Sequence, residues 1–234
     1  MSRDRLERED AEGKARTPSW CIYTKTLLFE LGLGKFWSLQ RTFDPDCVDL
    51  VPRWRDRVRT SIHAREQTLW RNSCLDRPKL RTYVTLKVQL LPEPWLVLPM
   101  RGGGLSELVK LRGGSSRLRI EKGRFSQEAL EDRVCVFCDS GLVEDEAHFM
   151  VACPVYDDLR STLWASLESL IGYSRDPSLG SQLQALLGNT LHKLGNKKFL
   201  PCLRKILQFI QKAMHRRADL ERREQKFGEK KKEK

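Results

Sequence analysis

The chain has 234 residues, 43 Lys and Arg against 31 Asp and Glu, a formal charge of +12, and 40% hydrophobic residues. That is apolar material for one domain or two small ones, and no run approaches the roughly eighteen consecutive apolar residues of a membrane span. The charged N-terminus lacks the apolar core of a signal peptide, and an odd count of seven cysteines argues against a disulfide framework, so the expected setting is intracellular, nuclear or cytoplasmic rather than secreted.

Residues 1–18 are charged and without apolar periodicity, which predicts a disordered lead. From Cys21 to about Leu33, Ile22, Leu27, Leu28 and Leu31 suit a short amphipathic helix stopped by Gly32 and Gly34. A second helix is expected from Asp49, with Pro52 in its first turn. Val51, Trp54, Val58, Ile62 and Leu69 fall on one face of it, with most of its arginines on the others.

Residues 79–91 read as either helix or strand, ended by Pro92-Glu93-Pro94. Gly102-Gly103-Gly104 opens a short helix through Leu111, and Gly113-Gly114 closes it. Leu118 and Ile120 alternate with Arg117 and Arg119, which suggests a brief extended segment. Tyr156–Ile171 is a predicted helix with Leu159, Leu163, Leu167 and Leu170 on one face, and Ser178–Leu187 is another. The longest helix is expected from Pro201 to Lys226, with Leu203, Ile206, Leu207, Ile210, Ala213 and Met214 as its core stripe.

The most informative spacing is Cys135-x2-Cys138-x9-His148-x4-Cys153. A C-x2-C turn brings two thiolates to one point, and zinc prefers four such N and S ligands in a tetrahedron. If Asp145–Ala152 is helical, His148 and Cys153 are slightly more than one turn apart, and Pro154 ends the turn. The alternative is three buried cysteines and a core histidine. Four protein ligands would leave no open coordination position, so one structural Zn2+ is expected rather than a catalytic one.

This stretch, EDEAHFMVACPVYDDLR at 144–160, resembles the C-terminal tail of reverse transcriptases from non-LTR (LINE-type) retrotransposons. Other strings follow in the order of such tails: LLFELGLGKFW at 27–37, KLRTYVTLK at 79–87, EPWL at 93–96, LVKLRGGSSRLRIEKGRF at 108–125 and RVCVFC at 133–138. The likeness covers about 20–220 and is most specific at the zinc module. It implies that Cys135, Cys138, His148 and Cys153 are the metal ligands and that Arg81, Arg112, Arg119 and Arg124 match basic positions of the family. The family's polymerase and endonuclease domains lie N-terminal to this tail. The chain therefore looks like a detached tail: a fragment, a decayed element, or a host gene made from one. Tyr156-Asp157-Asp158 has the wrong spacing for the metal-binding aspartates of a polymerase palm, and no nucleophile–base pair stands out, so no enzyme activity is expected.

Charge is uneven. Residues 131–176 hold ten acids and three bases, 101–124 seven bases and two acids, and 193–234 fifteen bases and five acids. Nucleic-acid affinity comes from cations neutralising phosphates. The zinc module is thus expected to be a scaffold, with RNA or DNA contacted by 101–124 and the C-terminal helix. The candidate contacts are Arg81, Arg101, Lys110, Arg112, Arg117, Arg119, Lys122 and Arg124. Glycines 102–104 and 113–114 either admit a phosphate close to the backbone or serve as linkers and caps. Trp95 or Phe125 could stack on bases.

The expected fold is mainly α, with small helical domains around one Cys-Cys-His-Cys zinc site and disordered termini. The expected divisions are a lead at 1–18, a basic helical segment at 19–126, the zinc module at 127–175, C-terminal helices at 176–226 and a lysine-rich tail at 227–234. The expected function is a non-catalytic, zinc-binding, nucleic-acid-binding module whose expected partners are RNA or DNA and a polymerase domain missing from this chain, and not a membrane. The competing reading is a zinc-stabilised protein-interaction scaffold or a non-functional fragment.

Overall fold

Helices make up nearly all the regular structure of residues 20–39, 50–97 and 102–232, the parts of the chain described by this computed structural model. The only β pairing among them is one antiparallel bridge between Val134 and Val143. The fold is mainly α, as the helical periodicities predict. The expected lead at 1–18 lies outside the described residues.

The helices are α1 (Trp20–Glu30), α2 (Gly34–Leu39), α3 (Leu50–Leu75), α4 (Arg81–Leu86), α5 (Gly103–Arg112), α6 (Arg119–Phe125), α7 (Asp157–Ile171), α8 (Leu179–Leu187) and α9 (Asn196–Lys232). Two compact units divide the chain between Asn72 and Ser73, within α3. The basic segment 73–126 therefore shares one unit with the cysteine–histidine stretch.

In the first unit, Cys21, Leu28, Leu31, Leu33 and Trp37 form a small cluster, with Trp54 and Val58 of α3 against it. Phe36 meets Trp54 edge-on at 4.9 Å. The expected stripe of α3 is only partly used, since Ile62 and Leu69 are exposed. α1 has 11 residues and α3 has 26.

The second unit is built on α9, against which α5, α7 and the 3-10 turn Thr190–Leu194 pack. Its predicted stripe is its core face: Leu203, Ile206, Leu207, Ile210 and Ala213 are buried, joined by Phe199, Cys202 and Phe209. Each such aliphatic side chain contributes about 1.5–3 kcal/mol when buried. Phe199 explains why α9 starts before Pro201. The proline lacks an N–H for the carbonyl of Lys197, but residues 196–198 are exposed, so water can serve that carbonyl. At its other end α9 runs through Lys232, into the segment expected as a tail.

Residues 79–91 resolve into a 3-10 turn at Pro78–Leu80 and α4, followed by irregular chain. The extended segment expected at 117–120 is instead the start of α6. Leu118 is extended at the N-cap (φ −66°, ψ 156°), and buried Ile120 lies one residue into the helix. A two-residue alternation there reflects a helix entry, not a strand.

Gly104 sits where α5 crosses α9. A Cβ at this position would meet the carbonyl oxygen of Leu207 at 2.5 Å. Gly114 has φ +61°, and a Cβ there would strike the carbonyl of Lys79. Both glycines allow close packing of the chain on itself, not approach of a phosphate. Gly104→Ala should therefore destabilise the unit by about 1–3 kcal/mol, because the rigid carbonyl outweighs the roughly 1 kcal/mol by which Ala favours a helix. Urea unfolding is the check, and a midpoint at or above wild type contradicts the packing argument.

Candidate metal centre

The first two cysteines lie on a short hairpin. Its ends are tied by Cys135 N–H to Leu142 O (2.8 Å) and Glu144 N–H to Arg133 O (3.0 Å), on either side of the Val134–Val143 bridge. Gly141, at φ +65°, turns the chain back. Asp145 then caps the next turn, its carboxylate accepting the His148 N–H at 2.7 Å. Residues His148–Ala152 form a π-helix, closed by the Cys153 N–H donating to His148 O at 2.7 Å.

That wider turn is what aligns the second pair. In an α-helix, residues five apart point about 140° away from each other; an i→i+5 hydrogen bond stacks them. Cys153 then leaves through the 3-10 turn Pro154–Tyr156 into α7. The ligand atoms of Cys135, Cys138, His148 and Cys153 all lie within 4.8 Å of one another. Cys138 Sγ is 3.4 Å from His148 Nε2 and 3.1 Å from Ser140 Oγ. Cys135, His148 and Cys153 are buried and Cys138 is half-buried. These four residues can hold one metal ion.

The electrostatics suit a cation. The Cys153 thiol, donating to Cys135, pushes the Cys135 pKa down, against the opposing effect of burial and helped by His148 and the Phe137 N–H. Donation to Cys135 and burial push Cys153 up. The cluster thus already favours one thiolate, and a metal would take the place of the remaining protons. His148 Nδ1, which carries the proton when Nε2 binds metal, is buried and has no acceptor among the described residues.

Three arginines brace this centre. Arg160 of α7 is buried and donates to Met150 O (3.0 Å) and Cys153 O (2.8 Å), gripping the π-turn from below. Arg217 of α9 makes two bonds to the Glu144 carboxylate (2.7 and 2.8 Å), with side chains only 3% and 1% exposed. Arg217 also lies over the Phe137 ring, 5.2 Å from its centroid. Burial lowers the Arg217 pKa, but Glu144 outweighs it and holds the guanidinium above its ordinary value. Arg81 of α4 binds Glu146 (2.8 Å) and Glu121 (2.7 Å). Glu144 and Glu146, counted in sequence among the acids of the zinc module, are internal anchors to α9 and α4. Arg160 and Arg217 were not among the sequence candidates. Both interrupt apolar helix faces, and Arg160 also closes the string 144–160.

The predicted nucleic-acid contacts are largely engaged within the protein. Arg112 is buried, donating to Leu187 O and to Glu93 (2.8 Å), so it faces no phosphate. Arg81 is committed as above. Lys110 pairs with Glu107, Arg119 with Glu128, Lys122 with Glu221 and Arg124 with Glu121. Arg117 is exposed and close enough to Glu221 to help lower its carboxyl pKa. Arg101 lies outside the described residues. Trp95 is buried in the core beneath Arg112, whereas Phe125 is exposed under Arg124. Asp157 and Asp158 pair with Arg160 and Arg216.

Among the described residues no helix is long and apolar enough to cross a membrane, and Cys21, Cys74 and Cys202 are free and buried. No known protein family matches the chain, and neither a curated protein nor a solved structure is found similar to it.

Proposed function

We propose that the chain is a non-catalytic module organised by one structural zinc ion, that it binds RNA or DNA, and that it is related to the tail of a LINE-type reverse transcriptase. The observation that carries this reading is the convergence of three cysteines and one histidine within 4.8 Å. A tetrahedron of such ligands about zinc has S···N edges of about 3.6 Å and S···S edges of about 3.8 Å, so the Cys138–His148 edge at 3.4 Å is already close. Four protein donors make a closed site, which supports a structural role. The overall charge of +12 supports a polyanionic partner.

Purified protein should carry about one zinc per chain by elemental analysis. It should bind nucleic acid with an affinity that falls steeply as salt rises. Protein without zinc, or without salt-sensitive binding of either RNA or DNA, removes the corresponding half of the proposal. One observation favours a protein-interaction scaffold instead: Val136 and Leu142 beside the metal hairpin, and Leu130 and Phe125 upstream, are exposed. Self-association that disappears when Val136 and Leu142 become Ser would support it.

A further inference from the structure

Resting on the nucleic-acid reading above, we infer that the strand lies in the groove between α7 and α9, along an unpaired cationic face of α9, and not on the 101–124 segment. Two adjoining hollows of about 530 and 140 Å³ run between these helices and share Leu159 and Lys212. The α9 wall carries Lys205, Lys212, His215, Arg216 and Arg223, and the α7 wall presents Leu159, Thr162 and Ser166.

Lys205, Lys212 and Arg223 are exposed and make no ion pair among the described residues. Asp219, the one acid among the residues lining the hollows, pairs with Arg222, and Asp158 outside them pairs with Arg216. This is the contrast with Lys110, Arg112, Arg119, Lys122 and Arg124, each of which would have to give up a carboxylate before taking a phosphate. A cation without a partner displaces the counterion condensed on the phosphate and surrenders no internal contact.

The α7 wall is uncharged. The hydroxyls of Thr162 and Ser166 donate to backbone carbonyls of their own helix, so the three cations carry the phosphate contacts. Lys205 to Arg223 spans eighteen residues of continuous helix, about 27 Å, the length of about eight stacked nucleotides. A phosphodiester backbone supplies negative charge evenly along such a length, which an acidic peptide does only with an unbroken acidic run.

The experiment uses the full zinc-loaded chain, a fluorescently labelled single-stranded RNA of about 20 nucleotides and the matching DNA duplex, titrated between about 0.05 and 0.2 M salt. Lys205→Gln/Lys212→Gln/Arg223→Gln should weaken binding tenfold or more and flatten the log–log salt slope by about 2 for the single strand. Lys110→Gln/Lys122→Gln/Arg124→Gln should change affinity less than about threefold. All six sites are on the surface, and an unchanged urea midpoint confirms that each variant folds. Wild-type binding that survives intact in the groove variant, or is lost instead in the second variant, overturns the inference and leaves the nucleic-acid reading standing. Wild-type protein that binds neither probe overturns that reading itself. Equal affinity for polyglutamate and RNA assigns the face to an acidic protein and overturns the inference.

Discussion

Cys135→Ser or His148→Ala should abolish stoichiometric metal binding and unfold the second unit at neutral pH. A closed Cys3His site contributes on the order of 10 kcal/mol of folding free energy, which is the whole stability of an ordinary domain. Chelation of the wild-type protein should produce the same loss, reversed by added zinc. The pH dependence follows from proton competition. Metal binding needs neutral His and ionised Cys, so affinity falls as pH drops and protons retake the donors. Circular dichroism with and without EDTA reads this directly, and full helicity in a metal-free Cys135→Ser variant would eliminate the site. Arg160→Met should leave the four donors in place but free the carbonyls of Met150 and Cys153, weakening metal affinity about 10–100-fold.

Arg217→Met should be the most damaging single substitution outside the ligands, costing about 3–5 kcal/mol. Removing the guanidinium leaves the Glu144 carboxylate buried at 1% exposure without its ion-pair partner, held only by the Arg119 N–H at 2.8 Å. The penalty comes from that stranded charge more than from the lost attraction. The double variant Glu144→Gln/Arg217→Met should accordingly recover a large part of the loss, a coupling that a double-mutant cycle of urea midpoints measures. Additive effects of the two substitutions, or an Arg217→Met chain within 1 kcal/mol of wild type, would contradict a buried pair. Salt should matter little here, since a pair this deep is poorly screened.

The spacing of Cys135, Cys138, His148 and Cys153 was legible in the sequence because all four donors sit within nineteen residues, so local turns alone bring them together. The stripe from Leu203 to Ala213 was equally legible, since one periodicity sets which side of a helix is apolar. The fate of the arginines was not. Arg112 looks like a surface cation by type, and what turns it inward is Glu93, 19 residues earlier, and Leu187 O, 75 residues later. Glu144 reads as acidic surface until Arg217, 73 residues on, covers it. Such pairings depend on which helix lies against which, and residue type carries no trace of that. The π-turn was hidden for a different reason: its five-residue hydrogen bond leaves no periodicity over so short a segment.

The separation between Cys153 and Arg217 also sets an order in time. A ribosome adding about 5–20 residues per second exposes the last metal donor roughly 3–13 seconds before it delivers Arg217. The hairpin and π-turn can close on a metal throughout that interval, while the residues that will sheathe them are still unmade. Metal supply therefore acts on the nascent chain. Where metal is scarce, the four donors would stay open through that interval, before any finished protein existed to lose an ion.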